Sequence, residues 1–128
     1  MKKKYEITKD TVQSNGITLH RIKALHNFGD VKAGETGGWL ASELNLDQVG
    51  NCWIYPNAAV YGNAKVLENA KVCDMSNVWD NGIISGNAIL RGLTMVYDNA
   101  KIYDKAEICG CTMIFGVNNF DGGFLKHT

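Results

Sequence analysis

The sequence of 128 residues lacks the features that usually assign a chain to a membrane or to nucleic acid. It contains no apolar run that approaches the length of a membrane span, and its basic start, residues 1–6, has no hydrophobic segment of a secretion signal. The 13 basic and 13 acidic residues cancel, which disfavours general binding to nucleic acid. We therefore expect one soluble, cytoplasmic domain, residues 1–128, that contacts neither membranes nor nucleic acid directly.

Signatures of cofactors and metals are missing as well. No CxxC pair occurs, and Cys109-Gly110-Cys111 has no further ligands at the spacing of a zinc site. The glycines of residues 29–38 do not lie between a strand and a helix in a GxxxxGK sequence, as a phosphate-binding loop requires. We expect four reduced thiols, no cofactor and no metal.

Residues 51–116 contain eleven consecutive six-residue units of the form Asn-Ala-x-Val-x-Gly/Asp. The fourth position is always aliphatic: Ile54, Val60, Val66, Val72, Val78, Ile84, Leu90, Val96, Ile102, Ile108 and Ile114. The second position is always small: Cys52, Ala58, Ala64, Ala70, Ser76, Gly82, Ala88, Thr94, Ala100, Ala106 and Thr112. A short fixed period of this kind is the signature of a β-solenoid.

The geometry of a β-strand explains the repeated unit. Positions two and four point to one side of a short strand and positions three and five to the other, so a large and a small residue fill a narrow tube. Positions six and one are mostly Gly, Asp, Glu or Asn, which tolerate positive φ at a corner. Three units should close one triangular coil of 18 residues, and we predict an all-β fold, a parallel β-helix. Cys73 and Cys109 would then lie about 9–10 Å apart, too far for a disulfide.

Residues 1–30 do not follow the repeat and are predicted to form an N-terminal β-hairpin cap. Two strand-like runs stand on either side of Asn15-Gly16, and Asn-Gly between such runs is a strong hairpin signal. A parallel solenoid exposes unpaired backbone groups at each end, which a terminal element has to cover.

The remaining segments are interpreted as further irregular parts of the same domain. Residues 31–50 predict an irregular first coil with a small bulge near residues 42–46. After the eleven repeats, residues 117–128 predict a short closing segment, in which Phe120 and Phe124 are candidates for plugging the tube.

The N-terminal sequence also carries a family resemblance. The motifs that carry it are Asn15-Gly16-x-x-Leu19-x-Arg21-Ile22-x-Ala24-Leu25, Phe28-Gly29-Asp30-Val31-x-Ala33-Gly34 and Gly37-Gly38-Trp39. Together with the repeats they resemble a family of small phage- and prophage-encoded hexapeptide-repeat proteins. The resemblance implies a left-handed coil and a phage-related origin, hence the cytoplasm of a bacterial host, and it implies no particular activity.

Stacking of the coils sorts the outward positions onto three faces. One of these faces is apolar throughout, and we call it the aromatic face. Its apolar residues are Tyr61, Met75, Trp79, Leu93, Met95, Tyr97, Met113 and Phe115. The second face is mixed, with Trp53, Lys71, Ile89 and Glu107 expected at outward third positions. Exposed aromatic residues and methionines in one patch are typical of a protein interface. Two alternatives are that the rings only stabilise the sheet, or that a terminal segment covers them.

The sequence predicts a protein-binding module rather than an enzyme. Acyltransferases built from hexapeptide repeats use a catalytic histidine and often a projecting loop, whereas His20, His26 and His127 all lie outside the uninterrupted repeats. We expect the aromatic face to bind a host protein, as an anti-CRISPR-like inhibitor of a bacterial defence system would. A homo-oligomeric scaffold is the alternative, and an acyltransferase ranks third.

Overall fold

The computed structural model describes residues 2–117 and 119–127, and for residues 121–127 it describes the backbone alone. These residues form fourteen strands, one 3₁₀ turn at Glu43–Asn45 and no α-helix. The first three strands are β1 (Tyr5–Ser14), β2 (Ile17–Ala24) and β3 (Thr36–Leu40). Eight strands of two residues follow: β4 (Trp53–Ile54), β5 (Ala59–Val60), β6 (Lys65–Val66), β7 (Lys71–Val72), β8 (Asn77–Val78), β9 (Ile83–Ile84), β10 (Ile89–Leu90) and β11 (Met95–Val96). The last three are β12 (Lys101–Gly110), β13 (Met113–Ile114) and β14 (Asn119–His127).

The strands stack into a β-solenoid of about four coils, which confirms the predicted parallel β-helix. One sheet has the order β1-β2-β3-β5-β8-β11-β13. The other has the order β4-β7-β10-β12-β9-β6, with β14 paired to β12, and it covers two faces because β12 runs through the corner between them. Within the repeats each residue pairs with the residue 18 positions further on, as Val78 does with Val96. The left-handed sense of the coil stays a prediction from the resemblance.

The interior of the tube contains the residues that the repeat assigned to it. The residues at positions two and four are buried in all eleven units. Two of the polar residues at position two satisfy their hydroxyls locally, since Thr94 Oγ1 donates to the carbonyl of Arg91 at 2.8 Å and Thr112 Oγ1 to that of Cys109 at 2.9 Å. Ser76 Oγ is buried and has no hydrogen-bond partner within the described residues.

The corners depend on the sixth position of each unit. From Gly62 to Gly116 this position always has positive φ, including at Glu68, Asp74, Asp80, Asp98 and Asp104. Several of these carboxylates also join successive coils: Asp74 Oδ2 accepts a hydrogen bond from the backbone N–H of Gly92 at 2.8 Å. The acidic residues therefore have a structural part in the corners, in addition to their charge.

The first coil is irregular, and its extra residues do not lie at residues 42–46. Leu40 pairs with Val60 and Leu46 with Val66, so the first coil is two residues longer than the regular ones. The spacing from Leu40 to Leu46 is that of one normal unit, and the expected bulge at residues 42–46 is instead a capped 3₁₀ turn. The two additional residues follow Leu46. There Gln48 Oε1 accepts hydrogen bonds from the backbone N–H groups of Lys4 and Tyr5, so the longer corner is tied to the N-terminal segment.

Residues 1–30 contain the predicted hairpin. Packing of this segment also buries Trp53, which differs from the prediction. β1 and β2 pair antiparallel, and β2 pairs antiparallel with β3. Trp53 was expected to face outward, but it is buried beneath Phe28, at 5.2 Å between ring centroids, and Tyr5, at 6.3 Å. A methyl group at Gly37 would lie 2.5 Å from the Trp53 ring, so this glycine lets the first coil approach it.

Residues 119–127 continue the stack although the sequence repeat has ended. β14 pairs in parallel with β12 along most of its length, with a register shift between Tyr103 and Ala106. Phe120 was expected to plug the tube. It lies opposite Ile102 on the neighbouring strand and packs against the core. The side chain of Phe124, the second proposed plug, lies outside the described residues.

Candidate protein-binding face

The aromatic face is the outer surface of strands β5, β8, β11 and β13. Its four rings stack on one another: Tyr61 and Trp79 have centroids 5.9 Å apart at 6°, Trp79 and Tyr97 4.6 Å at 8°, and Tyr97 and Phe115 5.5 Å at 13°. The repeat of 18 residues produces this stack, because it places the fifth positions of successive coils one above the other. The structure thus brings the four predicted aromatic residues together.

The stacking decides which part of each ring a ligand can reach. Trp79 and Tyr97 have a neighbouring ring against each of their two faces. Only their edges point away from the sheet. A sugar or a nucleobase that needs an open ring face cannot stack on them. The surface is therefore suited to a broad apolar contact.

The other predicted residues widen this strip. Met95 pairs with Met113 on adjacent strands, and Met75 and Leu93 stand at the neighbouring corner. The exposed fractions are 59% for Met75, 43% for Leu93, 56% for Met113 and 48% for Phe115, whereas Met95 is half-buried. Within the described part of the chain, no terminal segment covers these four exposed side chains. The patch consequently keeps apolar groups in contact with water, which is unusual for a surface without a partner.

The hairpin extends the aromatic face, which the sequence analysis did not foresee. Because β2 pairs with β3, the hairpin is part of the same sheet as the ladder. Leu19 is buried, and together with Ile17 it lines a small depression beside Tyr61. Val12 pairs with Leu19 from β1 and is exposed. The alternation of Ile17 and Leu19 in β2 was the available signal, but only the pairing with β3 shows which face they join.

Arg21 lies at the side of this face that is nearest to the first coil. Its guanidinium lies over the Trp39 ring, 4.1 Å from the centroid, and Nη1 donates hydrogen bonds to the carbonyls of Gly37 at 2.9 Å and Pro56 at 2.6 Å. A cation that is stacked on an indole ring and bound to two carbonyls through one nitrogen is held in one orientation. Arg21 thus ties the hairpin to the first coil and to the corner at Pro56.

The electrostatics of the face are acidic at one edge. Burial in the stack raises the pKa of the Tyr61 phenol, and the nearby carboxylate of Asp80 raises it further. Tyr61 therefore stays protonated at neutral pH and offers a hydroxyl group to a partner. The Asp80 carboxylate therefore lies close enough to Tyr61 to act on the first ring of the ladder.

The second face contains a polar groove that is lined by ionisable side chains. Its volume is about 420 Å³, and its lining includes Asp30, Tyr55, Lys71, Cys73 and Arg91. Tyr55 Oη donates to Asp30 at 2.7 Å, and Lys71 Nζ lies 3.6 Å from the same carboxylate. Burial raises the pKa of Cys73 to about 11, so its thiol is not activated as a nucleophile.

Groups that could support catalysis are sparse in the described residues. No cluster of three or more His, Cys, Asp or Glu residues there could hold a metal ion. His20 lies on β2 opposite Leu40, and His26 follows β2, so both are in the cap. His127 ends β14, and its side chain lies outside the described residues. In the same part of the chain, no helix is long and apolar enough to cross a membrane.

Comparison with known proteins supports the class of fold. No protein-family model matches the chain. A stretch of 43 residues, 34% of the chain, is 49% identical to a protein of Escherichia coli (strain K12) named uncharacterized acetyltransferase YdcK. The match spans 13% of the length of that relative. Together, the coils and this partial match support a hexapeptide-repeat β-helix.

Proposed function

We propose that this protein is a protein-binding module and that the aromatic face is its contact surface. The observation that carries the proposal is the continuous stack of Tyr61, Trp79, Tyr97 and Phe115, bordered by exposed Met and Leu side chains. Aromatic residues and Met are enriched in the buried centres of protein interfaces. The rings are also held rigid by their neighbours, so a partner would lose little side-chain entropy in binding them.

Truncation of the central rings tests this proposal. Trp79→Ala or Tyr97→Ala should weaken association at least about tenfold, because truncating a central aromatic residue commonly costs about 2 kcal/mol or more. Tyr103→Ala is the matched control, since Tyr103 occupies the same position of the next unit but lies on the third face. The fold should survive in all three variants, because position five points away from the tube.

Two measurements separate the possible occupants of the face. Light scattering measures the mass of the wild-type protein in solution. A pull-down with the immobilised protein measures binding to a partner. A wild-type dimer that becomes monomeric in Trp79→Ala indicates self-association, whereas a monomer whose partner binding disappears indicates another protein. The proposal fails if mass, partners and melting are the same in Trp79→Ala, Tyr97→Ala and the wild type.

The narrower role is inhibition of a bacterial host's defence system by a phage-encoded protein. Its support is the family resemblance of residues 15–39 together with the repeats, and a single rigid binding face suits an inhibitor that acts by contact. The test is expression in bacteria with an active CRISPR system during phage infection. Trp79→Ala should abolish protection of the phage, and Tyr103→Ala should preserve it. Equal phage survival with and without the wild-type protein refutes this role.

An acyltransferase is the second candidate, favoured by the name of the matched relative. The groove on the second face has an apolar side chain, Ile89, beside two cations, Lys71 and Arg91, which could attract the phosphates of an acyl carrier. Both cations are already paired, with Asp30 at 3.6 Å and Glu107 at 3.2 Å, which weighs against the idea. Titration with acetyl-CoA decides: saturable binding that is lost in Lys71→Ala and kept in Trp79→Ala favours this candidate.

A further inference from the structure

The charged residues at the corners beside the aromatic face of the repeats are all acidic. The acidic rim, as we name it, consists of Asp74 at the corner before the face and Asp80 and Asp98 at the corner after it. The basic residues of the repeats lie on the other two faces or at the corner between them: Lys65, Lys71, Arg91, Lys101 and Lys105. The aromatic face of the repeats thus has three carboxylates at its corners and no base on its own strands, although Asp74 also lines the second-face groove that contains Lys71 and Arg91.

The carboxylates of the acidic rim are hydrogen-bonded but have no ion-pair partner among the described side chains. Asp80 Oδ2 accepts from the backbone N–H of Asp98 at 3.1 Å, and Asp98 Oδ2 from that of Gly116 at 2.9 Å. Lys71 and Arg91, by contrast, form ion pairs with acids on the second face. The rim therefore keeps a negative charge beside the rings, in a position where an approaching cation could reach it.

We infer that the aromatic face binds a protein segment that presents apolar side chains together with Lys or Arg, rather than a second copy of the same face. This inference rests on the proposed function. Two copies paired through this face would bring two acidic rims together, and charges within about 8 Å repel at physiological salt. The nearby base, Arg21, is held over Trp39 and bound to two carbonyls, so it is poorly placed to neutralise a second rim. A basic, apolar segment satisfies both the rings and the rim.

Two short peptides serve as probes of this inference. One alternates Leu and Lys and the other alternates Leu and Glu, so they share their apolar content and differ in charge. Binding of each labelled peptide is measured by fluorescence anisotropy at about 50 mM and about 500 mM salt, which changes the Debye length roughly threefold. The Leu-Lys peptide should bind more tightly, and high salt should remove most of the difference.

Matched double variants locate the charge effect. Asp80→Asn with Asp98→Asn should weaken binding of the Leu-Lys peptide between about twofold and tenfold at low salt. Glu68→Gln with Asp104→Asn is the control, because these residues occupy the same position of the unit, with the same positive φ, at the corner away from the face. Asn and Gln each keep an acceptor oxygen, and each replaces a residue of the same shape, so the corners should keep their geometry.

The outcomes separate this inference from the proposed function. Loss of binding in the first double variant and its retention in the control support the inference. Equal losses in both double variants, or equal binding of the two peptides, overturn it. A wild-type dimer that dissociates in Trp79→Ala also overturns it, because the occupant is then a second copy, but that result leaves the proposed function standing. Unchanged binding and mass in Trp79→Ala contradict the proposed function itself.

Discussion

Replacing Val78 with Asp tests the inside of the solenoid most directly. Val78 is fully buried and stacks between Val60 and Val96 of the neighbouring coils. Its neighbour Asn77 lies on the same strand with its side chain on the outer surface. Val78→Asp and Asn77→Asp therefore place the same carboxyl group on opposite sides of one strand.

The expected cost of Val78→Asp has three parts. The lost burial of a valine side chain is about 1.5–3 kcal/mol. A buried carboxyl group without hydrogen-bond partners adds about 1–3 kcal/mol. Keeping that group neutral at pH 7, against an ordinary pKa of about 3.9, adds about 4 kcal/mol. The total is comparable with the entire stability of a small domain, about 5–15 kcal/mol. Val78→Asp should therefore be largely unfolded at pH 7.

The assay is urea unfolding followed by circular dichroism at pH 7 and pH 4. Asn77→Asp should lose no more than about 1 kcal/mol at either pH, because its charge stays in water. In Val78→Asp the folded state would keep a proton that the unfolded state releases above a pH of about 3.9, so its stability relative to the wild type falls as the pH rises. The variant should recover part of its stability at pH 4. If both variants unfold at the same urea concentration at pH 7, the assignment of position four to the interior is wrong.

Two further predictions concern other buried side chains. Ser76→Ala should raise the midpoint of unfolding, because it removes a buried hydroxyl without a partner, which costs about 1–3 kcal/mol, whereas Thr94→Ala should lower it; the same shift in both variants would contradict this. Titration with a thiol reagent at pH 8 should find Cys52 and Cys73 unreactive in the native protein, because one is buried and the other has a raised pKa, and four thiols after denaturation without reductant; a count of two would reveal a disulfide.

Much of the regular solenoid could be predicted from the sequence, because the same pattern of large, small and turn-forming residues occurs in eleven successive units. A large residue at position four and a small one at position two can be buried together only on one side of a strand, and residues tolerant of positive φ at position six can form a corner. Repetition every 18 residues then places equivalent side chains above one another. The order Tyr61, Trp79, Tyr97 and Phe115 in the ladder follows from that spacing alone.

The contacts of the segments outside the repeat could be seen only in the tertiary structure, because each segment occurs once and has no repeated pattern that indicates its partner. Burial of Trp53 depends on Phe28 and Tyr5, which arrive from distant parts of the chain. The pairing of β2 with β3 placed Leu19 on the aromatic face, and nothing in the hairpin sequence specifies that partner. The pairing of β14 with β12 continues the stack after the repeated sequence pattern has ended. The sequence alone thus determined the period, the interior and the ladder, and tertiary contacts decided how far the aromatic face extends and what covers the rest.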